Sequence, residues 1–100
     1  MSENHDTIWR VVARDALLVR EWNDELVVYN DLDGDSHHLA PLGGKVLVAL
    51  LAHPDGLNDA ALIGRIGERL AITEAQVLAP AIEEALDELG RLRLIAPLDA

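Results

Sequence analysis

The stretch that decides the fold is Leu26 to Leu39, LVVYNDLDGDSHHL, and its pattern predicts a β-hairpin. Leu26 to Tyr29 is a run of aliphatic and aromatic side chains of the kind that fit a half-buried pleated sheet. Asp33-Gly34 then supplies residues that tolerate positive φ, as a tight chain reversal requires. The return strand, Ser36 to Leu39, is short and polar, which is typical of an edge strand. An edge strand has one row of unpaired backbone donors and acceptors.

Two apolar segments that precede the hairpin also have strand character. Ile8 to Ala13 contains Trp9, and Leu17 to Trp22 follows it. Together with the hairpin they predict a small antiparallel sheet of three or four strands, all within the first 40 residues. Residues 1–7 are polar and are predicted to be a disordered lead-in, so a single domain is expected to span residues 8–98.

After the hairpin the apolar period changes from that of strands to that of helices. Leucine and valine recur at helical spacing from Leu42 to Ala52, and Pro54 to Gly56 ends this first helix. Asn58 is the predicted N-cap of a second helix, and Thr73-x-x-Gln76 fits a capping box that opens a third. The predicted fold class is α+β, a small antiparallel three-stranded sheet followed by three helices, winged-helix-like.

Composition limits the classes of function. The 100 residues include 18 acidic and 8 basic side chains, for a net charge of −10, and no cysteine. This charge repels nucleic acids and anionic lipids, and it favours a partner that carries Lys or Arg. The absence of cysteine excludes disulfides, thiolate catalysis and sulfur-ligated metals. No apolar run approaches the roughly 20 residues of a membrane span, so we expect a soluble, cytoplasmic protein with no membrane partner. Because of its negative charge, we also expect no nucleic-acid partner.

The motifs of common catalytic and cofactor sites are missing from the sequence. Neither serine lies in a glycine-flanked nucleophile turn, and Gly43-Gly44-Lys45 lacks the spacing of a phosphate-binding loop. His37 and His38 are neighbours on a strand, so they point to opposite faces and cannot readily share a metal ion. The acidic run Asp31 to Asp35 starts like a calcium loop, but its glycine and its twelfth residue do not fit. The sequence therefore predicts no enzyme activity, no catalytic residue, no metal and no cofactor.

A helix-turn-helix that binds DNA is a competing interpretation. Residues 62–86 are predicted to form helix, short turn and helix, and a neighbouring sheet would complete a winged helix. From Thr73 to Gly90, where the recognition helix would lie, there are five acidic residues and no Lys or Arg. Phosphate contacts dominate DNA affinity, so we expect a winged-helix-like scaffold that does not bind DNA.

Several segments along residues 8–98 have the order and spacing of a known family. They are Trp9, Trp22, Glu25 to Asn30, Gly34 to Leu39, and the ending Leu89-Gly90-x-Leu92-x-Leu94-Ile95-x-Pro97. These segments resemble the PqqD family, most closely its branch of peptide chaperones of the HPr-rel-A system. One departure is Ser36-His37-His38-Leu39, where the family usually has Thr-His-x-Leu.

The resemblance implies a winged-helix-like domain that binds a peptide and is not itself an enzyme. In related recognition domains of ribosomally made, modified peptides, a leader segment adds to the sheet edge beside the third strand and lies against the third helix. The expected function is a non-catalytic adaptor that captures a precursor peptide by strand addition and presents it to a separate peptide-modifying enzyme.

The peptide-binding residues are accordingly expected on the strand edge and on one flank of the third helix. Small apolar side chains with a carboxylate rim on that flank suit a peptide with an apolar anchor and a basic residue. The opposite flank is the alternative, and the apolar residues of the first flank also suit the periphery of the core. The strand-edge set is Ser36, His37, His38 and Leu39; the helix set is Val77, Ala81, Glu84 and Glu88; the opposite flank holds Ala79, Leu86 and Arg93.

The alternative function is a structural module whose open sheet edge pairs with itself to form a homodimer. Concentration-dependent mass distinguishes the two hypotheses, because self-pairing needs no peptide.

Overall fold

A computed structural model describes residues 7–98, and within that range the chain forms six strands and three helices. The predicted α+β class with three helices is confirmed. The predicted disordered lead-in, residues 1–7, lies outside the described residues except for Thr7. The strands are β1 (Ile8–Val11), β2 (Leu17–Trp22), β3 (Glu25–Asn30), β4 (Asp35–Leu39), β5 (Leu57–Asn58) and β6 (Ile95–Pro97). The helices are α1 (Pro41–Leu51), α2 (Asp59–Leu70) and α3 (Ala75–Arg91), and a 3₁₀ turn at Arg14–Ala16 precedes β2.

The predicted hairpin forms most of an antiparallel sheet with the strand order β2-β3-β4. A two-residue turn joins β2 to β3, and both of its residues, Asn23 and Asp24, have positive φ, as a tight hairpin turn requires. Gly34, with φ of 76°, ends the turn between β3 and β4, and its N–H donates to the Asn30 carbonyl at 2.8 Å. The strand β4 lies at the edge of this sheet, as predicted.

A second sheet, with the order β5-β1-β6, was not foreseen from the sequence. Trp9 of β1 lies opposite Leu57 on one side and Pro97 on the other. Its indole N–H donates to an oxygen of the buried Asp59 carboxylate at 3.2 Å. The expectation that all strands fall within the first 40 residues was therefore wrong. The strands β5 and β6 are only two and three residues long, too short to carry a periodic pattern.

The helix α1 occupies the centre of the domain and packs against both sheets and both other helices. Gly44 lets it approach β3, because a Cβ at this position would lie 3.1 Å from the Leu26 Cβ. With only three aromatic residues in the chain, the core is aliphatic. Its most deeply buried side chains are Val28, Leu39, Val46, Leu47, Leu50, Leu62, Ile66, Ile82, Leu89 and Leu94.

The starts of the last two helices differ in how they are capped. The Asn58 side chain accepts a hydrogen bond from the Ala61 N–H at 2.9 Å, so the predicted cap of α2 is confirmed. The predicted capping box of α3 is wrong, because the helix begins at Ala75 and its N-cap residue, Glu74, makes no side-chain cap hydrogen bond. Glu74 has extended backbone angles, so the helix starts after it and Thr73 lies outside the helix.

Replacing Asn58 with alanine is expected to lower the free energy of unfolding by about 1 kcal/mol, because the Ala61 N–H loses its acceptor. Urea denaturation followed by circular dichroism measures this change. Asn58→Asp keeps an acceptor at the same position and should stay close to wild type. Equal losses in both variants would contradict the capping role.

Candidate functional site

The pairing of β3 with β2 determines which backbone groups of β3 face β4. The Asp31 N–H donates to the Ala16 carbonyl at 2.9 Å, which continues the register that pairs Leu17 with Asn30. In an antiparallel pair, hydrogen-bonded and non-hydrogen-bonded residue pairs alternate. The residues of β3 that direct their N–H and C=O groups toward β4 are therefore Leu26, Val28 and Asn30.

The same alternation determines which backbone groups of β4 are left open. Val28 lies opposite His37 and Leu26 opposite Leu39, so His37 and Leu39 use their backbone groups to bond β3. Ser36 and His38 direct their N–H and C=O groups to the other side of the strand. Within residues 7–98 no strand pairs with that side. The predicted edge therefore offers two donors and two acceptors to an added strand.

The side chains of β4 divide between the two faces of the sheet. Leu39 shares a face with Leu26, is 2% exposed, and belongs to the core. His37 lies on the same face and is half-buried, whereas Ser36 and His38 are exposed on the outer face. The imidazole Nδ1 of His38 lies 3.7 Å from a carboxylate oxygen of Glu25, and a pair this exposed contributes little stability.

The predicted flank of α3 is partly accessible. Val77 is 62% exposed and Ala81 is half-buried, while Glu84 and Glu88 are both exposed one turn apart. A side chain that approaches this flank would meet a small apolar surface with two carboxylates beside it.

The opposite flank of α3 is smaller than expected. Ala79 is half-buried there, but Leu86 is buried in the core and Arg93 lies beyond the end of the helix. Leu86 and Arg93 therefore do not form an accessible helix flank. Of the three residues expected there, Ala79 alone lies at the surface of the helix.

The strand-edge set and the helix set are carried by two elements that both pack on α1. The helix α1 contacts β4 and also packs along α3, whereas β4 and α3 do not pack extensively against each other within residues 7–98. The structure thus brings together the residues of each set without joining the two sets directly. A ligand that touched both the strand-edge set and the helix set would have to cross the surface above α1, which lies between them.

A cavity of about 380 Å³ that sequence reasoning missed opens between the β2–β3 turn and the helices α1 and α2. Its lining includes the apolar side chains of Val48 and Ile66, together with charged side chains of both signs. None of its Lys and Arg side chains forms an ion pair in the described part of the chain. These charged residues come from β2, the turn that follows it, α1 and α2, so no single local motif predicts the set. They are Lys45, Arg65 and Arg69, with Glu21, Asp24 and Glu68.

The described residues lack the features of two other classes of site. No group of three or more His, Asp or Glu side chains in residues 7–98 lies close enough together to hold a metal ion. None of the helices in that range has the length and apolar character needed to cross a membrane.

Comparisons with known proteins bear on the fold. No protein-family model matches the chain, and no curated protein matches its sequence. The structure matches that of TbiB1 in complex with the TbiA(beta) leader peptide, with a TM-score of 0.66 over 86% of this chain and 93% of that chain. The two sequences are 15% identical, so this likeness establishes a shared fold.

Proposed function

We propose that this protein is a non-catalytic adaptor of the PqqD type, which captures the leader segment of a ribosomally made precursor peptide and presents it to a separate modifying enzyme. The observation that carries the proposal is the open side of β4, where the backbone groups of Ser36 and His38 have no partner within residues 7–98. The fold shared with TbiB1, whose structure contains a leader peptide, supports the same function.

Recognition would begin with the backbone. An extended peptide beside β4 donates to the carbonyls of Ser36 and His38 and accepts from their N–H groups. These bonds provide affinity for any peptide that can adopt the strand conformation. Alternate side chains of the added strand point to opposite faces, so every second residue faces the side of the sheet on which His37 and α1 lie.

Selectivity would come from the helix flank. Val77 and Ala81 offer a small apolar surface for an anchor residue, and Glu84 and Glu88 attract a Lys or Arg nearby. The net charge of −10 adds a long-range attraction for a basic segment, which added salt weakens. The preferred ligand is therefore a peptide that combines an aliphatic residue with a basic one.

Amide hydrogen exchange on the protein with and without a peptide tests strand addition directly. The peptide is selected from a display library of random sequences, and exchange is followed residue by residue by NMR. The Ser36 and His38 amides should exchange quickly in the free protein and become protected in the complex, while His37 and Leu39 are protected in both. A complex in which neither amide gains protection would refute strand addition.

Ala81→Arg is expected to weaken peptide binding about tenfold or more, because a long charged side chain would fill the flank where the anchor binds. Fluorescence anisotropy with a labelled selected peptide measures the affinity. Ala79→Arg is the matched control, since Ala79 is also half-buried but lies on the opposite flank of α3. Loss of binding in the control alone would move the peptide to that flank.

A further inference from the structure

The sheet that contains β4 has a second open edge, formed by β2. The hydrogen bond from Asp31 to Ala16 places the backbone groups of Leu18 and Arg20 toward β3. By the same alternation, Val19 and Glu21 direct their N–H and C=O groups away from the sheet. Leu17 does so with its C=O, while its N–H donates to the Arg14 carbonyl in the 3₁₀ turn. No strand within residues 7–98 pairs with them.

The β2 edge lacks three features that usually prevent a strand from pairing with another chain. It runs in continuous register along all six residues of β3, without a bulge, a proline or a lysine. It also exposes large apolar side chains, since Leu18 and Trp22 are each 66% exposed and Val19 is 40% exposed. Natural edge strands with this composition are covered or paired. The β4 edge, by contrast, exposes serine and histidine.

We propose that a second copy of this chain pairs with β2, antiparallel and about a two-fold axis, to form a continuous six-stranded sheet. Charge favours a second copy at this place over the acidic parts of the surface. The strand β2 carries one basic and one acidic residue, Arg20 and Glu21, so it is neutral in a chain of net charge −10. Two copies that meet elsewhere, at the acidic β3–β4 turn or at the carboxylates of α3, would repel each other.

Charge also selects the register of the pair. A two-fold axis at Arg20 or at Glu21 would place like charges directly opposite each other, which is destabilising. An axis at Val19 places Leu18 opposite Arg20 and Leu17 opposite Glu21 of the second copy. Trp22 then lies opposite Ala16 of the second copy and diagonally beside its Leu18, within reach of an aromatic ring. This register pairs Leu17 to Glu21 of one copy with Glu21 to Leu17 of the other.

The pairing leaves both β4 edges at the outer ends of the six-stranded sheet. The dimer would therefore hold two peptides at once, if β4 binds peptide as proposed above. The pairing itself does not depend on that function, because it uses the opposite edge and needs no ligand.

Sedimentation velocity of the full chain over a range of concentrations tests the proposal without any peptide. The mass is expected to rise from 10.9 kDa toward twice that value. Added sodium chloride should strengthen the association, because salt screens the repulsion between two acidic chains. The opposite salt dependence is expected for a complex with a basic peptide. A wild-type chain that stays monomeric up to millimolar concentration overturns the proposal.

Two variants identify the surface, and a third is the control. Val19→Pro removes an edge N–H without removing a bond to β3, and Leu18→Lys places a charge on an exposed side chain, so both should be monomeric with wild-type circular dichroism. If the proline variant does not fold, Leu18→Lys decides. His38→Pro alters the other edge and should still dimerise. A dimer that survives both β2 variants, or is lost only in His38→Pro, would exclude the β2 edge.

Discussion

Replacing His38 with proline is expected to weaken peptide binding about 30- to 100-fold, which corresponds to a loss of about 2–3 kcal/mol. Proline has no N–H to donate, and its ring occupies the open side of the strand where the peptide would lie. The bonds between β4 and β3 remain, because they use the backbone groups of His37 and Leu39 instead. Isothermal titration with a selected peptide measures the affinity, and circular dichroism checks that the variant is folded.

His38→Ala is the matched control for this prediction. It removes the exposed imidazole and its contact with Glu25 but keeps the backbone N–H, so affinity should stay within about threefold of wild type. A second comparison is His37→Pro, which removes a bond to β3 and should destabilise the sheet itself. If His38→Ala loses as much affinity as His38→Pro, the side chain binds the peptide and the backbone does not.

Replacing Gly56 with alanine is expected to lower the free energy of unfolding by about 3 kcal/mol or more. Gly56 has φ of 93°, which strains any residue with a side chain. A Cβ there would also lie 2.6 Å from the Ile8 Cγ2 and 2.7 Å from the Trp9 carbonyl oxygen, and the backbone atom cannot move without disturbing β1. Urea denaturation followed by tryptophan fluorescence measures the loss.

Gly64→Ala makes the same chemical change, but it is expected to raise the free energy of unfolding instead of lowering it. Gly64 lies within α2, and a Cβ at this position would meet no atom of residues 7–98 within 4 Å. Alanine should stabilise the helix by about 0.5–1 kcal/mol, because it loses less backbone entropy than glycine on folding. A Gly56→Ala variant as stable as wild type would mean that the loop before β5 leaves room for a methyl group beside Ile8 and Trp9.

The parts of the fold that the sequence could predict are those specified by residues close together in the chain. The apolar run of β3, the turn at Gly34 and the cap at Asn58 all depend on neighbours, and all three are present in the structure. The second sheet depends on pairing between β1 and two very short segments far away in the chain. Such pairing is selected by tertiary contacts, so neither β5 nor β6 has a strand pattern of its own.

The candidate site also combines features that the sequence predicts with features that depend on tertiary contacts. The polarity of Ser36 to His38 was enough to predict an edge strand, but the side of β4 that is open depends on the register with β3. Helical periodicity placed Leu86 on a flank of the third helix, and only packing assigns it to the core. The exposed apolar edge of β2 could not be recognised from its sequence, because the same residues would suit a buried strand.

The pairing of Trp9 with Pro97 also has a consequence for the order in which the domain assembles. Strands β2, β3 and β4 are joined by short turns, so they can associate as soon as they have been synthesised. The strand β1 precedes them in the chain, yet its pairing with β6 must wait until the last part of the domain has been made. Contacts between residues so distant in sequence form slowly. A newly made chain would therefore carry a finished three-stranded sheet, with both edges open, before the small sheet closes the domain.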